Sequence, residues 1–136
     1  MTLRERGEAL RRVPVFAGVS GRALAQVARA ATELELPAGQ VLIEAGAAGA
    51  GMFVVLEGVA VVETKGRRRV ELGPGECVGE LALLTAQGVR TARVRAKTPL
   101  RCLAIARSDF RRLLVEEPRL ALALLETLAT RLAESG

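Results

Sequence analysis

The sequence predicts a mainly β protein in which about eight short strands form a jelly-roll barrel flanked by helices. Between residues 32 and 106 the apolar residues follow a two-residue period and are interrupted by tight turns, which is typical of sandwiches and barrels. Before and after that region the period changes to that of amphipathic helices. We therefore expect one domain, residues 1–136, with N-terminal helices at 1–31, the barrel at 32–106 and C-terminal helices at 108–134.

Composition narrows the possible functions. Half of the residues are hydrophobic but only three are aromatic, so the core must be built from Leu, Val and Ala. The absence of His excludes His-based metal sites and the Ser-His and Cys-His nucleophilic pairs. A net charge of +5 favours anionic partners without choosing between nucleotide, nucleic acid and membrane. With no nucleophile–base pair and no carboxylate motif, we expect neither an enzyme nor a metal cofactor.

The N-terminal segment predicts two helices. The first lies within residues 2–13 and ends at Pro14, because the residue before a proline disfavours helical geometry. A turn follows, and its last residue, Ser20, can cap the second helix. The apolar face of that helix consists of Leu24, Val27, Ala28 and Ala31.

Strands are predicted from residue 32 onward. Leu34 and Leu36 alternate with glutamates, and further apolar runs of strand length are separated by turns rich in Gly and Pro. The small-residue loop at 45–51 does not fit a phosphate-binding loop, because a strand follows where that motif needs a helix. The main predicted strands lie at 32–36, 41–43, 52–56, 59–64, 90–97 and 100–105, with short runs near Val70 and Cys77.

The cysteine usage predicts a reducing compartment. Cys77 and Cys102 lie in apolar, strand-like runs and are interpreted as reduced core residues of a cytoplasmic protein, with a disulfide as the alternative. No apolar run approaches the length of a membrane span, and the N-terminus lacks the apolar core of a signal peptide.

The segment 78–92, VGELALLTAQGVRTA, is the candidate binding site. After Gly79, residues 80–84 are good helix formers, so we expect a short helical turn. The first N–H groups of such a turn have no partner within the helix. Together with the local dipole, they attract an anion, above all a phosphate.

Arg90 is the cation expected to complete this site. In the strand that follows, Arg90 shares its parity with Ala92, Val94 and Ala96, so its side chain would lie on an otherwise apolar face. A buried guanidinium needs an anionic partner. That partner could be Glu80, a ligand phosphate, or both in sequence.

A family resemblance rests on two motifs of this segment. Gly-Glu-Leu-Ala-Leu at 79–83, followed by Arg-Thr-Ala at 90–92, resembles the phosphate-binding cassette of cyclic nucleotide-binding domains. The resemblance is closest to the branch of the bacterial catabolite activator, the cyclic AMP receptor protein. Strand residues 52–62 and the Gly-Pro-Gly-Glu turn at 73–76 resemble further parts of the same family. Val78 and Val89 depart from the family pattern, both at positions without polar chemistry.

The resemblance implies a ligand and a role for each site residue. Cyclic AMP is the expected ligand, with cyclic GMP less favoured. Backbone N–H groups of Ala82 and Leu83 would meet the cyclic phosphate, Arg90 would pair with its charge, and Thr91 would add a hydroxyl. Glu80 would accept a hydrogen bond from the ribose 2′-hydroxyl. The full implied set is Gly79, Glu80, Leu81, Ala82, Leu83, Arg90 and Thr91, together with Arg131 near the ribose and Ser135 near the base.

The C-terminal region predicts two helices, and the resemblance implies that the second, longer one is both the lid over the ligand and the dimer element. Ser108 or Asp109 can cap the first helix, and Pro118 begins the longer one. Because the long helix is apolar nearly all round at its start, we expect one face on the barrel and another in a homodimer through residues 119–133. The predicted dimer seam is Ala121, Leu125, Leu128 and Leu132, broadened by Leu120 and Leu124.

Two other functions remain open from the sequence. A nucleotide-free barrel could serve as a protein interaction or dimerisation module, with Glu80 and Arg90 as a structural ion pair. The basic run at 65–69 could contact nucleic acid, but it has no interleaved aromatics and no recognition helix. We therefore expect a cyclic nucleotide and an effector domain or partner protein as the partners, with no direct contact to nucleic acid or membrane.

Overall fold

Two antiparallel sheets of four strands each form the body of the structure, with helices before and after them. The computed structural model describes residues 1–43, 51–63, 70–78 and 93–135. The predicted mainly β class with flanking helices is confirmed. The elements are α1 (Leu3–Arg11), a 3-10 turn (Pro14–Phe16), α2 (Gly21–Ala30), β1 (Thr32–Leu36), β2 (Val41–Ile43), β3 (Gly51–Glu57), β4 (Ala60–Glu63), β5 (Val70–Leu72), β6 (Cys77–Val78), β7 (Arg93–Ala96), β8 (Leu100–Ala106), α3 (Arg107–Glu116) and α4 (Pro118–Ser135).

The strand order places distant parts of the chain side by side. The first sheet has the order β1-β8-β3-β6 and the second has the order β2-β7-β4-β5. All the strand pairs are antiparallel. In the first sheet, β8 near the end of the barrel lies between β1 and β3, so the last strand joins the beginning of the barrel to its middle.

The core consists of two clusters on opposite faces of the first sheet. Met52 and Val54 of β3 belong to the first cluster, which the helices cover. Phe53 and Val55 of the same strand face the second cluster, between the two sheets. Apolar side chains are therefore needed at successive positions of β3, which explains its unbroken apolar run.

The N-terminal helices are held by local caps. The Thr2 Oγ1 accepts the Glu5 N–H at 3.1 Å, and the Glu5 carboxylate accepts the Thr2 N–H at 3.0 Å. Hydrogen bonding to the Glu5 carboxyl, first from the Thr2 backbone N–H and second from the Thr2 side chain, holds the pKa of Glu5 below its usual value. Ser20 caps α2 as predicted, because its hydroxyl accepts the Ala23 N–H at 3.2 Å.

The predicted cap of the first C-terminal helix is wrong. Helix α3 begins at Arg107 with Ala106 as its N-cap, and no side chain supplies a capping hydrogen bond. Strand β8 continues to Ala106, so the chain passes directly into the helix and Ser108 lies inside the first turn. Asp109 is also in that turn, where its charge suits the helix dipole, and it pairs with Arg112 at 3.4 Å. Pro118 begins α4 as predicted.

The long helix turns a different set of leucines to solvent from the one predicted. Leu120 and Leu124 are fully buried in the first cluster, and Leu128 is partly buried against it. Leu128 therefore does not belong to the predicted outer seam. The large apolar side chains that α4 exposes are those of Leu122, Leu125 and Leu132, whose exposed fractions are 56%, 63% and 76%.

The two cysteines are free thiols on opposite faces of the first sheet. Cys77 packs against the first cluster and Cys102 lies in the second, with β3 between their strands. This arrangement excludes a disulfide between them. Burial raises the pKa of Cys102 to about 11, so this thiol is an unreactive core group. Among the described helices, none is long and apolar enough to cross a membrane.

Long-range ion pairs cross the sheets. Arg101 of β8 lies 2.8 Å from the Glu33 carboxylate of β1 and 2.6 Å from the Glu57 carboxylate of β3, so one guanidinium ties three strands together. Gly58 lies between β3 and β4 and adopts a φ of 91°. A Cβ at this position would lie 2.2 Å from the Pro99 carbonyl oxygen, so only glycine fits.

Candidate functional site

The predicted binding segment joins the two sheets. The chain leaves the first sheet at the end of β6 and continues in the second sheet at the start of β7. Residues 79–92 lie outside the described residues, so the structure gives the frame around them. The roles of Gly79, Glu80, Leu81, Ala82, Leu83, Arg90 and Thr91 stay predictions, as do the roles of the loops at 45–51 and 65–69.

The strand before this segment is fixed by β3. Val78 lies opposite Phe53, and Cys77 lies opposite Val54, at the edge of the first sheet. The preceding turn is attached to the same strand: the Val55 N–H donates to the Glu76 carbonyl and the Gly75 N–H donates to the Val55 carbonyl, both at 2.9 Å. The chain therefore approaches the binding segment from a defined position and direction.

The strand after the segment shows the alternation on which the placement of Arg90 depends. Val94 and Ala96 are 1% and 0% exposed and belong to the cluster between the sheets. Arg93 is exposed and Arg95 pairs with Glu63 of β4 at 3.3 Å, so the cations of the described strand lie on its outer face. Continued to residue 90, this alternation predicts that Arg90 lies on the inner, apolar face.

An apolar wall lines the inner face of the barrel next to the segment. Phe53, Val62 and Val78 pack against the cluster between the sheets but are only partly buried, whereas Val55 and Ala60 beside them are fully buried. Half-buried apolar side chains at this position can contact a flat apolar ligand group such as a purine. The sequence pattern does not predict this wall. The alternation of β3 separates Phe53 from Met52 and Val54, but it does not show that Phe53 is partly exposed.

The C-terminal helix carries two further predicted contacts. The backbones of Arg131 and Ser135 lie in α4, but the structure does not describe their side chains. Leu120 and Leu124 attach the first half of α4 to the helix-covered cluster. The described residues 129, 130 and 132–134 are all exposed, so the second half of the helix makes few contacts with the described barrel.

Metal binding has no candidate among the described residues. Nowhere in the described ranges do three or more Cys, Asp or Glu side chains form a group that could hold a metal ion. The described residues contribute two things to the candidate site. One is the apolar wall, and the other is the pair of backbone hydrogen bonds from β3 that hold the chain just before the segment with Gly79, Glu80 and Arg90.

Comparison with known proteins identifies the family of this frame. The family model of the cyclic nucleotide-binding domain matches residues 33–117, which is more than half of the chain and includes the predicted segment. A cyclic nucleotide-gated potassium channel of Mesorhizobium japonicum, mll3241, is 37% identical over 109 residues. That match covers 80% of this chain but 30% of the channel, so the chain spans less than a third of that relative.

Solved structures show the same fold. The catabolite activator protein of Thermus thermophilus superposes with a TM-score of 0.78 at 29% identity, covering 90% of this chain and 59% of that one. A structure from work on a cyclic-GMP-dependent signalling pathway that regulates bacterial phytopathogenesis has a TM-score of 0.73 at 33% identity, covering 85% of this chain and 95% of that one. The two sheets and their flanking helices are thus the predicted jelly-roll barrel.

Proposed function

We propose that this chain, which belongs to the family of cyclic nucleotide-binding domains of the catabolite activator type, is a sensor that binds cyclic AMP between its sheets and signals through α4. The observation that carries the proposal is the alternation of β7, which puts Val94 and Ala96 inside and Arg93 and Arg95 outside. If the alternation continues to residue 90, the Arg90 guanidinium would point toward the interior, where an anion would be needed to neutralise it.

In the proposed complex, polar groups of the binding segment hold the negatively charged cyclic phosphate. The cyclic phosphate would pair with Arg90 and accept hydrogen bonds from the N–H groups of Ala82 and Leu83. Glu80 would accept from the ribose 2′-hydroxyl, and the purine would lie against the wall that includes Phe53 and Val78. This division fits the chemistry of the two parts of the site, because the polar groups come from the segment and the apolar groups come from the strands.

Signalling would use the exposed second half of α4. A ligand shifts a two-state equilibrium only through a difference in its affinity for the two states. If α4 closes over the ligand, Arg131 and Ser135 supply that difference. The output would pass to an effector domain or a partner protein, without catalysis by this chain. The free thiols support a cytoplasmic location as part of the proposal.

The proposal also specifies which cyclic nucleotide is bound. Thr91 offers a hydroxyl that suits either nucleotide, and one similar structure comes from work on a cyclic-GMP-dependent pathway. We favour cyclic AMP because the segment resembles the cassette of the cyclic AMP receptor branch. The alternative function, a nucleotide-free interaction module, would use Glu80 and Arg90 as a structural ion pair.

Thermal unfolding can distinguish the nucleotides. A ligand present at a hundred times its Kd stabilises the folded state by about 2.7 kcal/mol. We expect cyclic AMP to raise the Tm by several degrees, cyclic GMP to raise it less, and 5′-AMP, which lacks the cyclic phosphate, to leave it unchanged. A larger shift with cyclic GMP would reverse the assigned nucleotide. Equal Tm values with and without every nucleotide would favour the interaction module.

We also propose a homodimer through α4, on a corrected seam. Leu122, Leu125, Ala129 and Leu132 are all exposed and follow the spacing of three, four and three residues that a coiled-coil seam requires. The opposite face of the helix is occupied by Leu120 and Leu124. One surface of α4 thus packs on its own domain, and the other is available to a second copy.

The dimer is tested by a charge at the centre of the seam. We expect Leu125→Glu to convert a dimer into a monomer in sedimentation equilibrium at micromolar concentration, because it places like charges in contact. The matched control is Leu3→Glu, since Leu3 is exposed to a similar extent, 52%, at the opposite end of the chain. A wild-type chain that sediments as a monomer would contradict the dimer.

A further inference from the structure

The N-terminal helices are rich in arginine. Residues 1–31 contain six arginines and two glutamates, which gives this segment a net charge of +4. Arg6 and Arg11 are used within the fold, where they donate to backbone carbonyls such as that of Ala31 at 2.9 Å. Arg12, Arg22 and Arg29 are exposed, and their guanidinium groups make no hydrogen bond or ion pair with another described residue. This face therefore presents unneutralised cations to a partner.

A groove runs between α1 and α2 beneath these cations. Two shallow cavities, of about 240 and 480 Å³, share Arg4, Gly7 and Leu24 in their linings and so form one groove. Its described lining reaches along α1 from Leu3 to Arg12, a rise of roughly 14 Å or two and a half helical turns. The apolar and small residues of the lining, here called the floor, are Leu3, Gly7, Gly21, Leu24, Ala25 and Ala28, and its charged residues, here called the rim, are Arg4, Glu8, Arg11, Arg12 and Arg29. Glu8 pairs with Arg4 at 3.3 Å, so Arg12 and Arg29 are the exposed rim cations whose side chains have no partner among the described residues.

Nothing in the described part of the chain requires a glycine at position 7. It lies in the interior of α1, where glycine is less favourable than alanine. Its φ is not positive, and a Cβ built on it would meet nothing within 4 Å. The packing of α1 on α2 therefore does not require a glycine here. A partner backbone that approaches this point closely would require one, because any side chain would fill the groove.

We propose that this groove docks an acidic amphipathic helix of a partner protein. Helices pack at axial distances of 8–10 Å, and a floor of small residues permits the closest of these approaches. Leucines of the partner helix would contact the floor, and its glutamates would pair with Arg12 and Arg29 at the rim. Nucleic acid fits less well, because no aromatic side chain lines the groove to stack bases. A membrane surface fits less well because Leu3 is the one large, exposed apolar side chain in the described lining.

The test uses a fluorescein-labelled peptide of about 14 residues, with Leu along one helical face and Glu elsewhere, and the same peptide with Gln for every Glu. We expect the acidic peptide to bind in fluorescence anisotropy, with affinity falling as salt is raised, and the Gln peptide to bind at least tenfold more weakly. Gly7→Leu and Arg29→Glu should each reduce binding at least tenfold. Arg119→Glu, an exposed arginine on α4, is the matched charge control and should leave binding unchanged.

Folding and the nucleotide site are checked separately. We expect Gly7→Leu to keep or raise the Tm, because leucine is the better helix former and its side chain enters open space. It should leave cyclic AMP binding unaltered. No binding of the acidic peptide would overturn the proposal. So would binding that survives both groove variants but is lost in Leu125→Gln, which would place the peptide on α4, or tighter binding of duplex DNA or anionic vesicles than of the peptide.

Discussion

Replacing Arg90 with alanine is expected to weaken cyclic AMP binding by a hundredfold or more. The substitution removes the guanidinium that is proposed to neutralise the cyclic phosphate, and it would leave that charge without a partner on an apolar face. Truncating one member of a desolvated, hydrogen-bonded charge pair costs roughly 2–5 kcal/mol, and a hundredfold change corresponds to about 2.7 kcal/mol. Isothermal titration calorimetry of the variant with cyclic AMP measures the loss directly.

The matched control for this prediction lies on the same strand. Arg93 is exposed on the outer face of β7, so Arg93→Ala should bind cyclic AMP within about twofold of wild type. Glu80→Ala should weaken binding less than Arg90→Ala and reduce discrimination against the 2′-deoxy nucleotide. An Arg90→Ala variant that binds as wild type does would mean that the phosphate is held elsewhere.

The second large effect is expected in the helix-covered core. Phe110 of α3 is completely buried in the cluster that joins the helices to the first sheet. Phe110→Ala should lower the free energy of unfolding by about 3–5 kcal/mol, because it removes a large apolar side chain and leaves a cavity. Urea unfolding should show a lower midpoint with an unchanged slope.

A control substitution at an exposed position of α3 distinguishes the effect of losing a buried side chain from the effect of changing helix propensity. Val115 of α3 is 83% exposed, so Val115→Ala should change the free energy of unfolding by no more than about 0.5 kcal/mol. Equal losses of stability in Phe110→Ala and Val115→Ala would contradict the assignment of Phe110 to the core.

Local pattern was sufficient to predict most of the fold. The alternation around Leu34 and Leu36 predicts β1, the proline at 118 predicts the start of α4, and Ser20 predicts the cap of α2. Each of these features depends on residues within a few positions of one another, where period, proline geometry and capping act directly.

The features that sequence reasoning missed depend on distant contacts. The cap predicted for α3 failed because β8, held between β1 and β3, continues as far as Ala106. Leu128 turns inward because the first cluster is wide enough to reach it. Arg101 joins Glu33 and Glu57 across 68 and 44 positions of the chain, and no local pattern records such pairs.

The same contrast between local pattern and distant contacts applies to the candidate site. The roles predicted for Glu80 and Arg90 come from the resemblance of their motifs to the family cassette, and they stay predictions because residues 79–92 lie outside the described residues. The apolar wall of Phe53, Val62 and Val78 could not be predicted from a local pattern, since its members come from three strands of two sheets. Apolar side chains of a ligand wall and of a core look alike in a sequence, and only their partial exposure separates them.

The most direct test of the central claim is isothermal titration of the wild-type chain with cyclic AMP at fixed salt, with 5′-AMP in the reference experiment. We predict saturable binding of one nucleotide per chain with a micromolar or lower Kd, and no binding of 5′-AMP. The absence of binding heat for cyclic AMP and equally for cyclic GMP, in a chain shown to be folded, would contradict the sensor and favour a barrel that acts only as an interaction module.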